Sequence, residues 1–339
     1  MEKKLPVKIL IRSDADATIG TGHLSRCRSI LINLQKFLPF CKTTIITHNK
    51  KLVNRFFDDS VDSDFIEIFS LKEAYNILRS KDFDIAIIDT PNVANEHIEY
   101  KAKILTVIDD EGIGLSHQDV LIQPNIGKAS TQHCGQHYWY GGKYIILHPY
   151  FSEYSKLKRI INAHVQHIAV CFGGSDHCQI TLKIIPILLN LKNNLEVSIV
   201  LGHAFTHIDE VMKLIGNDKR FNINIAVTDM ARILWKSDVA ILNGGTMLYE
   251  ACSLGTPALI ISQNNEQNQE ASLFHNQKAI INLGLFQNTN NKGTQFIIES
   301  IIHNFSLRKR LSENARRIVS MDGTDRITSN ILKLLFKKT

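Results

Sequence analysis

Apolar and polar positions along the chain alternate in two rhythms. Short runs rich in Ile, Leu and Val stand at 8–13, 43–47, 65–69, 84–89, 104–108 and 119–123, each bounded by polar or glycine-containing stretches. Runs of that length and β-branched content predict buried strands. The stretch 23–37 places Leu24, Cys27, Leu31 and Leu34 on one face at helical spacing. A second series follows, with strands expected at 168–172, 196–201, 222–227, 238–242, 258–262 and 280–283. Helices are expected there over 179–191, 229–236, 246–254 and 266–276, and the C-terminal stretch reads as helices alone, ending in Ile327, Ile331 and Leu335. Strands separated by helices imply parallel sheets, because a parallel pair needs a crossover and a helix supplies it.

Between the two series the rhythm breaks. Residues 123–154 are rich in Gly, Tyr and His and carry Pro124 and Pro149, which predicts irregular chain leading to a linker. The expected organisation is therefore α/β, with two Rossmann-like doubly wound domains over 1–155 and 156–339, the second keeping all the terminal helices. A length of 339 residues suits two domains. Two such domains would leave a cleft at the carboxyl ends of their strands, where ligands of doubly wound sheets bind. The informative residues should lie just after strands.

Composition narrows the picture. Hydrophobic content of 44% with 21% charge is ordinary for a globular chain and excludes wholesale disorder. No apolar run approaches the ~18 residues of a membrane span. The start, Met-Glu-Lys-Lys-Leu-Pro, precedes only a short strand-like run and is unlike a signal peptide. Six cysteines without a C-x-x-C pair predict reduced thiols and a cytoplasmic protein. The net charge is 39 − 33 = +6, and residues 306–339 hold nine Lys/Arg against three Asp/Glu. That excess reads as a solvated helix face, with an anionic ligand or a membrane surface as the alternative; no nucleic-acid partner is expected. His133-Cys134-x-x-His137 lacks a second ligand pair and reads as a polar loop, so no metal or cofactor is expected. Acyl-hydrolase elbow and Walker lysine motifs are absent.

The chemistry lies in glycine turns. After the first strand come Gly20-Thr-Gly22-His23 and a helix, so backbone amides can approach a ligand closely beside a helix N-terminus. His23 at that helix start suits a general base near neutral pH; a histidine that merely shapes the turn is the alternative. The second series repeats the arrangement in Gly173-Gly174-Ser175-Asp176 and in Gly244-Gly245-Thr246, followed by Glu250. Paired amide-rich turns can hold a diphosphate, and a carboxylate one helical turn further on can accept both hydroxyls of a ribose. The helix start around Glu266 and Gln267 is dense in amides and carboxylates, which suits a sugar ring or, alternatively, a surface cap.

At this point Arg12-Ser-Asp14 with Ile19-Gly20-x-Gly22-His23-x-x-Arg26-Cys27 resembles the opening motif of the bacterial UDP-sugar hydrolases of pseudaminic acid biosynthesis. Those enzymes are grouped with spore-coat polysaccharide proteins and share the GT-B fold. The resemblance continues through Ile87-Ile88-Asp89, Asp109-Asp110, Phe172-Gly-Gly-Ser-Asp176, Gly245-Thr-Met-Leu-Tyr-Glu250-Ala251, Gln267 and Asp322-Gly323. It implies metal-independent hydrolysis of a UDP-linked diacetamido-trideoxy sugar, with His23 as the base and Gly173, Gly174 and Ser175 at the diphosphate. It further implies Glu250 at the uridine ribose and Arg12, Asp14, Gly20, Gly22 and Asp89 on the substrate side. The sequence departs from the family pattern at Glu266-Gln267, at Thr90-Pro91 and at Leu147-His148-Pro149-Tyr150-Phe151. A GT-B glycosyltransferase with a glycan or lipid-linked acceptor, touching a membrane peripherally, is the second expectation.

Overall fold

A computed structural model describes residues 6–16, 20–57, 66–70, 73–74, 78, 81–91, 93–95, 99–154, 156–191 and 195–337. The chain divides into two compact units, Met1–Pro149 with Asp322–Thr339, and Tyr150–Met321.

The first unit is built on strands β1 Lys8–Ser13, β2 Lys42–Thr47, β3 Ile66–Ser70, β4 Phe83–Asp89, β5 Ala102–Ile108, β6 Val120–Gln123 and β7 His137–Tyr140. They form one seven-stranded sheet in the order β3-β2-β1-β4-β5-β6-β7. Every pairing in it is parallel. Such a sheet is covered on both faces, and alternate residues of one strand serve different cores. Ile9 and Ile11 of β1 join Ile85 and Ile87 on one face. Leu10 joins Ile46, Ala86 and Ile88 on the other.

The second unit carries β8 His167–Cys171, β9 Glu196–Leu201, β10 Phe221–Ile225, β11 Val239–Leu242, β12 Ala258–Ser262 and β13 Ile281–Leu285. Their order is β10-β9-β8-β11-β12-β13, again all parallel. In each sheet the order reverses beside the first strand, between β1 and β4 and between β8 and β11. Those reversals are where a doubly wound sheet opens a crevice for ligand.

Two expectations are corrected. The stretch 123–154 contains β7, whose Trp139 turns inward at 8% exposure and joins the core beside β1. Four residues are too short a run to show a period, which is why the pattern missed it. The expected strand 65–69 begins at a residue outside those described.

The second correction concerns the boundary at 155/156 (Ser155 is itself outside the described residues). The last helix, Gly323–Lys337, belongs to the first unit. Its Ile327, Ile331 and Leu335 pack in one cluster with Leu24, Cys27, Leu31 and Leu34 of the helix Gly22–Gln35. Asn33 Nδ2 donates to Asp325 Oδ1 at 2.8 Å, and Thr324 Oγ1 donates to the Leu147 carbonyl at 2.6 Å. Periodicity tells which face of a helix is buried but not which core receives it. The basic C-terminal stretch is also partly consumed inside the fold. Arg308 is wholly buried and donates to the carbonyls of Ile301, Ile302, Asn162 and Ala163.

The start of the last helix is pressed against the chain around residue 145. A Cβ on Gly323 would stand 2.1 Å from the Ile145 carbonyl oxygen, a distance at which backbone must shift. Gly323→Ala should therefore destabilise the protein by about 1–3 kcal/mol, the usual cost of overpacking. Chemical denaturation checks this, and an unchanged midpoint would show that the contact tolerates a methyl group.

Candidate functional site

In the first unit, β1 ends at Ser13 and the chain returns through Gly20 into the helix Gly22–Gln35. Gly20 has φ +77°, a left-handed value that favours glycine, and its N–H donates to the Asp16 carbonyl at 2.9 Å. Ile19, part of the expected motif, is outside the described residues. Gly22 opens the helix, whose first turn has no acidic residue and no capping side chain. His23 projects from that turn.

Three side chains meet there. His23 Nδ1 lies 2.6 Å from Asp89 Oδ1. Arg26, three residues along the same helix, grips Asp89 with two parallel bonds, Nε to Oδ2 and Nη2 to Oδ1, each 2.8 Å. Its remaining nitrogen donates to Asp110 Oδ1 at 2.6 Å. Asp89 is fully buried, whereas the His23 side chain keeps 20% exposure. Burial pushes the Asp89 carboxyl up, but the Arg26 charge and then the His23 imidazole outweigh it and hold the group below 3.8.

This geometry fixes the imidazole tautomer. An ionised carboxylate only accepts, so the nitrogen facing Asp89 must carry the hydrogen. Arg26 Nη2 stands 3.0 Å from the same nitrogen, but a nitrogen that donates to Asp89 has no lone pair left to accept from it. Nε2 is left as the ring's basic lone pair.

Arg12 and Asp14, expected on the substrate side, are buried together as an ion pair at 2.7 Å, with 2% and 4% exposure. Asp14 Oδ1 also accepts the backbone N–H of His48 at 2.8 Å. The pair thus ties the loop after β1 to the loop after β2. Asp89, also expected at the substrate, is spent on His23 and Arg26. Both sets lie beneath the surface that a ligand would meet.

In the second unit, β8 runs through Phe172 into Gly173, Gly174 and Ser175. Gly173 has φ +87°. A Cβ on Gly202, after β9, would stand 2.4 Å from the Gly174 backbone, so the two chains pack without side chains between them. Asp176 then caps the helix Ile180–Leu189, accepting from the N–H groups of Ile180 at 3.0 Å and Thr181 at 2.8 Å. That helix start is consequently closed to an anion.

The turn at Gly244 and Gly245 differs. It leads into the helix Thr246–Leu254, whose first turn carries no acidic residue and no capping side chain. Gly244 is pressed against the helix Asn265–Asn276: a Cβ there would fall 2.6 Å from the Gln267 carbonyl oxygen. The Phe172 carbonyl binds the two turns together, accepting Asn243 Nδ2 at 3.2 Å and Gln263 Nε2 at 3.0 Å. Gln267 Oε1 accepts the Gln263 N–H at 2.9 Å, while Glu266 is exposed in the first turn of its helix.

Two acceptors in this region are buried without a hydrogen-bond partner among the described residues, Asn243 Oδ1 and Glu250 Oε2. Burial alone pushes the Glu250 carboxyl up to about 7. An unpaired buried acceptor is costly unless a ligand donor completes it.

Arg26, Asp110, Asn243 and Gln263 were not among the expected site residues. Arg26 had a signal, since a residue three positions after His23 shares its helical face. Asn243 opens the third glycine turn and Gln263 opens the amide-rich run after its strand, and those places were their signal.

No protein-family model matches the chain. In sequence it is similar to the spore coat polysaccharide biosynthesis protein SpsG of Bacillus subtilis (strain 168), 27% identical over 272 residues that cover 77% of this chain and 79% of that protein. It is also similar to a Helicobacter pylori (strain ATCC 700392 / 26695) protein named pseudaminic acid cytidylyltransferase and UDP-2,4-diacetamido-2,4,6-trideoxy-beta-L-altropyranose hydrolase. There the identity is 25% over 296 residues, covering 86% of this chain and 50% of that protein. Among solved structures, Acinetobacter baumannii MurG superposes with a TM-score of 0.63 at 12% identity, covering 97% of this chain and all of that one (100%). The UDP-GlcNAc 2-epimerase from Neisseria meningitidis bound to UDP-GlcNAc gives 0.61 at 11% identity, covering 96% and 100%. The fold is GT-B, with two Rossmann-like parallel-sheet domains. The two sequence relatives support the resemblance to the spore-coat and pseudaminic acid family.

The Glu250 carboxyl generates a stability prediction. Its folded-state value near 7 exceeds the ordinary 4.5, so between those pH values the folded chain holds a proton that the unfolded chain has released. Its contribution to stability is complete below 4.5 and is lost as pH rises through 7. Glu250→Gln should remove this part of the slope and leave the ligand-free protein at least as stable as the parent at pH 8. Denaturation across pH 5 to 8 measures it; parallel curves for the two proteins would contradict it.

Proposed function

We propose that the chain is a nucleotide-sugar hydrolase that cleaves a UDP-linked diacetamido-trideoxy sugar to UDP and free sugar, in the making of a nonulosonic acid for a surface glycan. The observation that carries this reading is the His23–Asp89 pair, a partly exposed imidazole with one ring nitrogen held at 2.6 Å to a fully buried carboxylate. In the proposed reaction His23 Nε2 takes a proton from water as the oxygen bonds to the anomeric carbon. The bond from that carbon to the diphosphate oxygen breaks, and its electron pair leaves with UDP. Asp89 keeps the imidazole in its working tautomer and stabilises the imidazolium as it forms.

Charge grows on the diphosphate, and we assign its stabilisation to backbone N–H groups of the turns Gly173-Gly174-Ser175 and Gly244-Gly245-Thr246. The uncapped helix start at Thr246 favours an anion. Glu250, whose Oε2 is unmatched, accepts the ribose hydroxyls. Glu266 and Gln267 are assigned to the sugar. Gly20 and Gly22 set the approach to His23, and Arg12 and Asp14 hold the loops around it. Sequence similarity to the protein named as a UDP-sugar hydrolase supports water as the acceptor.

The assay is UDP release from a panel of UDP-sugars, with and without glycan or lipid-linked acceptors. Release without acceptor is expected, and it should persist in EDTA. Release only with an acceptor would make the enzyme a GT-B glycosyltransferase instead. His23→Ala should lower turnover by roughly 10²–10⁴-fold with UDP affinity nearly unchanged, because the base acts in the transition state. Asp89→Asn, which releases the tautomer, should lower turnover too while His23 stays in place. Near-normal turnover in a folded His23→Ala protein would remove the histidine from the chemistry.

Nucleotide binding supplies an independent test. Glu250→Ala should weaken UDP binding by about 1.5–3 kcal/mol, the range for hydrogen bonds to a charged group. Because ribose donors favour the ionised carboxylate, wild-type binding near pH 7 should release a proton that the Glu250→Gln protein does not. Titration calorimetry in two buffers of different ionisation enthalpy reads both effects, and equal affinities would take Glu250 out of the site.

A further inference from the structure

The opposite end of the first sheet, where its strands begin, carries a surface that the proposed reaction does not use. Phe37, just past the helix Gly22–Gln35, is 62% exposed, and Phe336, on the last helix Gly323–Lys337, is 61% exposed. Both line one shallow groove with Leu332, Lys333 and Lys337, and none of the residues lining it is acidic. Phe40, three residues beyond Phe37, is 73% exposed. Phe336 also borders a second depression along the strand starts, which contains Lys8, Lys101 and Lys103. The carboxylates there are Asp82 and Asp84, and Asp84 is already paired with Lys103 at 2.9 Å.

Scattered apolar side chains are normal on a protein surface, but large aromatics gathered in one lysine-flanked groove are not. The combination selects among occupants. An isologous contact with a second copy would bring together two grooves that each carry lysines and no carboxylate. A lipid surface with anionic headgroups satisfies both features. Phenylalanine rings enter the boundary between headgroups and acyl chains, while lysine stems lie along apolar surface and their ammonium groups reach phosphates. His23 and Asp89 stand at the other end of the same sheet, so docking here leaves them open.

We propose that the strand-start end of the first unit, through Phe37, Phe336, Lys333 and Lys337, docks peripherally on an anionic lipid bilayer. No helix among the described residues is long and apolar enough to cross a membrane, so this contact is interfacial. It goes beyond the proposed hydrolysis, which requires no lipid.

Flotation of the full chain with vesicles tests it. At low salt the protein should float with phosphatidylcholine vesicles containing phosphatidylglycerol and stay behind with phosphatidylcholine alone. The double variant Phe37→Ser/Phe336→Ser should reduce the bound fraction roughly tenfold or more through lost apolar burial. Lys333→Glu/Lys337→Glu should reduce it similarly and remove most of its salt sensitivity. These side chains are exposed, and unchanged unfolding midpoints would confirm that both variants fold. UDP release, which depends on neither pair, separates failure of this proposal from failure of the hydrolase reading. No flotation with the anionic vesicles, or flotation insensitive to both double variants, would overturn the proposal. So would concentration-dependent self-association abolished by the phenylalanine variant, which would make this face a contact between copies.

Discussion

A carboxylate removed from water stays ionised only where charge and donors replace the solvent, and Asp89 meets that constraint completely. It sits fully buried at the end of β4. Arg26 supplies a bidentate partner and His23 a third hydrogen bond. The arrangement couples three elements of the first unit, because Arg26 also reaches Asp110 in the loop after β5. Orientation of the imidazole is thus a consequence of keeping Asp89 charged, and the same interaction holds the helix start to the sheet.

The second unit meets a different constraint, which is crowding of backbone. Gly174 lies against Gly202 and Gly244 against the Gln267 backbone, each too close for a Cβ. The Phe172 carbonyl ties Asn243 and Gln263 to the end of β8. Amide-lined turns can then stand side by side, which suits a ligand with several anionic oxygens. Asp176 caps the helix that follows it, whereas the helix start at Thr246 has no capping side chain. A glycine motif therefore does not by itself say which of two neighbouring helix ends is open.

The two units treat their carboxylates differently. The first buries its carboxylates beside arginines, Asp14 with Arg12 and Asp89 with Arg26. The second leaves the half-buried Glu250 with its Oε2 enclosed and no such partner among the described residues, and desolvation raises it to about 7. A paired carboxylate serves the protein's own architecture, whereas an unpaired one favours a ligand that brings donors.

The sequence by itself determined the class of fold. Alternating β-branched runs and helical segments are local patterns, and the glycine turns and His23 stand at strand ends where a doubly wound sheet collects its ligand residues. Other features depended on contacts between residues far apart in the chain. The 123–154 stretch hid a strand because β7 exists only through its pairing with β6 and the seating of Trp139. The helix bearing Ile327, Ile331 and Leu335 announced its buried face, but only packing against Leu24, Leu31 and Leu34 decided that it closes the first unit. Arg12, Asp14 and Asp89 look alike in sequence as polar residues at strand ends. Tertiary structure alone buried them as ion pairs, because whether a side chain meets ligand or interior depends on what the rest of the chain lays over it.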